Sequence, residues 1–102
     1  MADKKPWYSN SPLGTGYQYF SNSANQKSAL DTKTKELIRL AVASVFRCKH
    51  CTEHHIKSAI KAGATKQEVS EAILLSALQA AGTQLNWNKE YLDENLIEEK
   101  LG

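Results

Sequence analysis

Residues 31–81 read DTKTKELIRLAVASVFRCKHCTEHHIKSAIKAGATKQEVSEAILLSALQAA. Asp31 is a favourable N-cap, and Leu37, Ile38, Ala41, Val42, Val45 and Phe46 recur at i, i+1, i+4, i+5 spacing. That pattern predicts an amphipathic helix from about Thr32 to Phe46. A second helix is predicted from Cys48 to Ala62, with Ile56, Ala59 and Ile60 on one side and Lys57 and Lys61 on another. Gly63 follows as a C′ stop. Thr65-Lys-Gln-Glu68 is a capping box that opens a third helix running to about Ala81. No stretch alternates with the period of a strand, so the fold class is all-α.

The third helix is the unusual one. Val69, Ala72, Ile73, Leu74, Leu75, Ala77, Leu78, Ala80 and Ala81 cover nearly its whole circumference. A helix apolar all round must be covered on all sides, and a chain of 102 residues has few elements to do it. The simplest cover is a second copy, and Ala77, Ala80, Ala81 and Gly82 would let helices approach closely. Further out, a final helix is expected from about Lys89 to Lys100, with Leu92, Leu96 and Ile97 on one side. Residues 1–30 read as an irregular arm broken by Pro6, Pro12, Gly14 and Gly16, with a short helix allowed near Gln18–Lys27. Trp7, Tyr8, Tyr17, Tyr19 and Phe20 would staple this arm onto a core. The expected organisation is the arm (1–30) followed by one helical domain of four to five helices (31–102), completed by oligomerisation.

Composition narrows the function classes. The net charge is +2 with 41% hydrophobic residues, which is ordinary globular composition and too weakly basic to argue for nucleic acid. No apolar run reaches the roughly 18–20 residues of a membrane span. Met1–Asn10 has early lysines but no apolar region after them, so no secretory signal is read and a cytoplasmic address is expected. The charge is uneven: residues 31–66 carry +5 and residues 67–102 carry −5. That pattern suits either solvated helix faces or pairing of the chain with itself.

The chemistry concentrates in Arg47-Cys-Lys-His-Cys-Thr-Glu-His-His55. Two cysteines are too few for a disulfide scaffold, and a close pair in a reducing compartment points to redox, catalytic or metal chemistry. Cys48 falls near a helix N-terminus and Cys51 one turn inside, so their sulfurs are neighbours. His55 lies four residues beyond Cys51, on the same face. The helix N-terminus, Arg47, Lys49 and a nearby histidine would all favour a thiolate, and Cys51 is expected to ionise first. Zinc is the competing reading, since two cysteines and three histidines fall within eight residues. One short helical stretch cannot converge four ligands tetrahedrally, which counts against it.

Glu36, eleven intervening residues, Cys48, Lys49, His50, Cys51, three residues and His55 form an E-x11-C-x-H-C-x3-H pattern. This resembles the alkylhydroperoxidase D-like branch of the carboxymuconolactone decarboxylase family, as do Ala62–Thr65 and the apolar helix that follows. The resemblance implies an all-α fold assembled as a homo-oligomer, often a trimer or hexamer. It implies that Cys51 attacks the peroxide, and that Cys48 donates a proton and then resolves the sulfenic acid into a Cys48–Cys51 disulfide. His55, His50 and Glu36 would form the proton relay. No bound cofactor is implied; the redox disulfide would be reduced by an external thiol, such as a lipoyl group on a partner protein. The expected activity is that of a thiol-dependent peroxidase or disulfide oxidoreductase acting on organic hydroperoxides. The rivals are a decarboxylase or isomerase acting on a cyclic acid or lactone, and a non-catalytic zinc-binding or assembly module. Peroxidase-type members are longer than this chain, so a partner subunit would complete the pocket.

Overall fold

The structure is a computed structural model that describes residues 5–96. Among them are a short 3₁₀ turn (Trp7–Asn10) and four helices, α1 (Pro12–Ala24), α2 (Thr32–Val45), α3 (Lys49–Lys61) and α4 (Lys66–Asn95), with no strand. The chain divides into two compact units, 1–32 and 33–102.

In the first unit, helix forms where mostly irregular chain is expected. The breakers of residues 11–16 turn out to be start signals. The Ser11 side chain accepts from the Gly14 N–H at 3.1 Å, and Pro12 occupies the first helical position, where its missing N–H costs nothing. Gly14 is required for a different reason: a Cβ there would run into the carbonyl oxygen of Tyr8. The helix therefore begins six residues earlier than the Gln18–Lys27 expectation. Tyr8 packs edge-on against Trp7 and Tyr17, with ring centroids 5.5 and 5.3 Å apart, so some of the expected staples bind one another inside this unit.

The second unit is built around Leu40, Ala59 and Ala64, with Leu37, Ile56, Val69, Ala72 and Ile73 packed on them. Helices α2 and α3 end by the same device. The Cys48 N–H donates to the Ala43 carbonyl (3.0 Å) and the Arg47 N–H to Ser44 (3.1 Å). One helix later, Ala64 donates to Ala59 and Gly63 to Ile60, both at 2.9 Å. These are Schellman closures, which need a left-handed residue at C′. Gly63 supplies it with φ 103°, and Arg47 supplies it with φ 61°.

Two expectations need correction. The predicted apolar face of α2 turns inward only in part: Leu37 packs on the core beside the buried Glu36, Leu40 and Ala43, while Ile38, Val42, Val45 and Phe46 are exposed. Helix α4 also runs 30 residues without a break, joining the third and final predicted helices through Gly82. A single glycine in a helix costs only about 1 kcal/mol and does not by itself end one. The expected end of the final helix, from Ile97 to Lys100, lies outside the described residues. Among the described residues no helix is long and apolar enough to cross a membrane.

Candidate active site

The Schellman closure at Arg47 reverses the chain so that α3 begins at once. Cys48 is its N-cap, and the Cys51 N–H donates to the Cys48 Sγ at 3.3 Å. Thr52 anchors the same turn, its hydroxyl donating to the Cys48 carbonyl at 2.8 Å. Cys48 and Cys51 are joined as a disulfide, with Cα atoms 5.3 Å apart. Both cysteines are half-buried, so the pair is neither sealed in the core nor fully open.

The cap hydrogen bond runs from Cys51 to Cys48 and not the reverse.

Behind the pair, Glu36 of α2 meets His55 of α3. Glu36 is only 8% exposed, and its Oε1 lies 2.6 Å from the His55 Nδ1. Its other oxygen, Oε2, accepts from the Arg39 guanidinium at 3.2 Å. A carboxylate only accepts, so Nδ1 carries the hydrogen, and a neutral ring then presents Nε2 as the acceptor. Cys51 and His55, at i and i+4, share a face of α3. The structure thus brings Glu36 to His55 across two helices, which sequence offset alone did not establish. His50 and His54 are exposed, and the His54 ring packs edge-on against His55 at 5.0 Å. No hydrogen bond joins His50 to the Glu36–His55 pair.

Sequence reasoning missed Arg39 and Thr52. Arg39 lies three residues from Glu36, an ordinary intrahelical acid–base spacing, and that was the available signal. Among the described residues no three histidine, cysteine or acidic side chains converge as a metal-binding group. Two open apolar grooves of about 690 and 470 Å³ run between α2 and α4. The cysteine pair lines neither of them.

A small all-α unit with a cysteine pair capping one helix and a buried Glu–His contact behind it defines the class. The chain belongs to the carboxymuconolactone decarboxylase family, whose pattern it matches over residues 12–94. It is 48% identical over 54 residues to uncharacterised protein 4 of the cox locus of Paracoccus denitrificans, covering 53% of this chain and 49% of that one. It is 39% identical over 51 residues to alkyl hydroperoxide reductase AhpD of Corynebacterium kroppenstedtii, covering 50% of this chain and 29% of that enzyme. The matched regions thus span about half or less of the length of these relatives. A crystal structure of a protein from Methanobacterium thermoautotrophicum superposes with TM-score 0.74 at 28% identity, over 84% of this chain and 98% of that one.

Proposed function

We propose that this protein is a thiol-dependent peroxidase that reduces organic hydroperoxides through Cys48 and Cys51. The observation that carries the reading is the buried Glu36–His55 hydrogen bond, one turn of α3 from Cys51. A buried carboxylate holding a histidine in one tautomer is what proton transfer at a thiol requires. The partial likeness to an alkyl hydroperoxide reductase adds support.

In the reduced protein the Cys48 thiolate takes the proton of Cys51, and the Cys51 sulfur attacks the terminal peroxide oxygen. The O–O bond breaks, Cys51 becomes a sulfenic acid, and the leaving alkoxide takes the proton back from Cys48 to depart as the alcohol. The Cys48 thiolate then attacks the Cys51 sulfur, forming the disulfide and expelling hydroxide, which leaves as water with a proton that His55 has taken up from solvent at Nε2. Glu36 holds His55 and balances its charge, and His50, exposed on the first turn of α3, passes protons to solvent. An external dithiol, of which a lipoyl group on a partner protein is the expected kind, returns both thiols. We place the reaction in the cytoplasm, where thiols are kept reduced.

The exposed apolar faces of α2 and α4 support a homo-oligomer, with a neighbouring subunit completing the substrate pocket. The test is a thiol count on reduced protein after one equivalent of an organic hydroperoxide, with peptide mapping. Loss of both thiols to a Cys48–Cys51 bridge, with Cys51→Ser unreactive, is expected. Two thiols surviving at the rate of free cysteine would remove the peroxidase reading. Turnover of a cyclic acid by a chain with both cysteines changed to serine would put a decarboxylase in its place.

A further inference from the structure

The exposed side of α3 is a basic stripe that begins at the cysteine pair. Lys49, His50, Glu53, His54, Lys57 and Lys61 are all exposed. At 3.6 residues per turn they fall within about 140° of arc. Three are lysines and one is an acid, and that acid, Glu53, lies 3.9 Å from Lys57 as an ion pair. Arg47, also exposed, adds a cation just ahead of Cys48. Among the described residues no ion pair holds Arg47, Lys49 or Lys61.

The head of this stripe runs against the electrostatics of its own helix. The N-terminus of a helix is its positive end and is stabilised by acids. Helix α4 follows that rule with Glu68 in its first turn, whereas α3 has no acid there and starts on Lys49. The stability of α3 therefore does not explain these cations. Nor does contact with the sulfurs explain the rest of the stripe, since Lys57 and Lys61 stand about 9 and 15 Å of helix rise beyond Cys51.

We propose that the stripe is the docking face for the protein that returns the two thiols, and that this partner presents its dithiol on an arm set among acidic residues. The proposal rests on the redox reading above. Both cysteines are half-buried, which admits a narrow dithiol arm more readily than a flat protein face. Acids laid along α3 would pair with Lys49, Lys57 and Lys61 while the arm reaches the bridge at the head of the stripe. Charge complementarity of this kind speeds encounter and fixes orientation. The stripe belongs to neither of the apolar faces, of α2 and of α4, that support the homo-oligomer. Once docked, one thiolate of the arm attacks a sulfur of the Cys48–Cys51 bridge and releases the other sulfur as a thiolate. The second thiol of the arm then closes the arm's own disulfide and frees the remaining cysteine. Two electrons pass to this protein, and the two thiol protons of the arm end on Cys48 and Cys51.

The test is reduction of the oxidised full chain by synthetic peptides, with thiol release followed by stopped flow. Each peptide carries one dihydrolipoyl-lysine, flanked by glutamates, by glutamines or by lysines. At low salt the glutamate peptide is expected to react at least about tenfold faster than the lysine peptide, with the glutamine peptide between them. The gap should close as salt shortens the Debye length below about 8 Å. Lys57→Glu with Lys61→Glu, checked for retained helical circular dichroism, should lose the order while uncharged dithiothreitol reduces it at the wild-type rate. Lys27→Glu with Lys89→Glu makes the same change of charge off α3 and should keep the order. Equal rates for the three peptides, or the same response from both double variants, would overturn the docking face. Equal peptide rates with faster oxidation by a carboxylate-bearing hydroperoxide would assign the cations to the substrate instead. Bridge formation with hydroperoxide judges the peroxidase reading separately, since its failure would leave the peptide order intact.

Discussion

The Nδ1 of His55 lies 2.6 Å from the Oε1 of Glu36, a contact between two helices whose charged member is only 8% exposed. Burying a carboxylate is costly unless it is hydrogen-bonded and paired, and here His55 and Arg39 take one oxygen each. Among the described residues of the second unit this is the one buried charge, inside an otherwise apolar interior of Leu40, Ala43, Ala59 and Ala64. A leucine at position 36 would satisfy the packing more cheaply, so the carboxylate is explained by what it does to His55.

From this comes the first prediction. His55→Ala is expected to slow peroxide-driven bridge formation by about 10²–10⁴-fold, the range for a positioned acid–base group. Glu36→Gln keeps an acceptor for Nδ1 but loses the charge, so its rate should fall by less. A purely structural Glu36 would leave the rate unchanged and alter only thermal stability. Stopped-flow thiol loss for each variant, beside its melting curve, separates the two outcomes.

The order of thiol ionisation is a second test. Because the Cys51 N–H donates to the Cys48 Sγ, Cys48 should be the first of the reduced pair to alkylate as pH rises, with Cys51 following. Alkylation at a series of pH values, followed by peptide mapping, gives the order directly. If Cys51 reacts first, the cap donor is not what governs the thiolate, and Cys51 would need no proton transfer to Cys48 before attack.

Much of this was written in local sequence signals. The capping box at Thr65, the stop at Gly63 and the Cys48 helix start rest on side chains within a few residues of each other, and such signals read cleanly. Contacts across helices are different. The periodicity of α2 grouped Ile38, Val42 and Val45 with Leu37 on one apolar face, yet those three are exposed, because a hydrophobic pattern does not say which neighbour covers it. Glu36 sat on the true inner face and looked like a surface charge. The third helix was expected to end near Ala81 and a final one to begin near Lys89, yet no proline interrupts α4 and helix propagation outweighs the one glycine, Gly82.

The capping box predicts a pH effect. Glu68 accepts from the Thr65 N–H at 2.8 Å and from Lys33 at 3.0 Å, and these contacts, the backbone bond foremost, lower its pKa from the ordinary 4.5. A lowered carboxyl pKa stabilises the fold above the unfolded value and loses that stabilisation as pH falls through the folded one. Wild-type protein should therefore lose stability below about pH 4.5 more steeply than Glu68→Gln. The side chain is 40% exposed, so the difference should be small and shrink in high salt. Urea midpoints for both chains across pH 3–7 measure it, and parallel curves would remove Glu68 as a contributor.

Arg47 offers the sharpest test of how site and stability are linked. It occupies the left-handed C′ position of the α2 closure at φ 61°, while the same closure after α3 uses Gly63. A left-handed residue with a Cβ costs about 1–2 kcal/mol, and glycine avoids that cost. Part of the gain is offset because glycine loosens the unfolded chain, so Arg47→Gly should stabilise the protein by about 0.5–1 kcal/mol. The same change removes the cation next to the Cys48 cap, so Cys48 should alkylate more slowly at pH 7. A variant that is both more stable and less reactive would mean that the strain at Arg47 is held for the chemistry of the cysteine pair. Arg47→Lys keeps the charge and the strained backbone, and should return the reactivity without the added stability. Loss of stability in Arg47→Gly would show instead that the arginine side chain makes a contact worth more than the backbone strain.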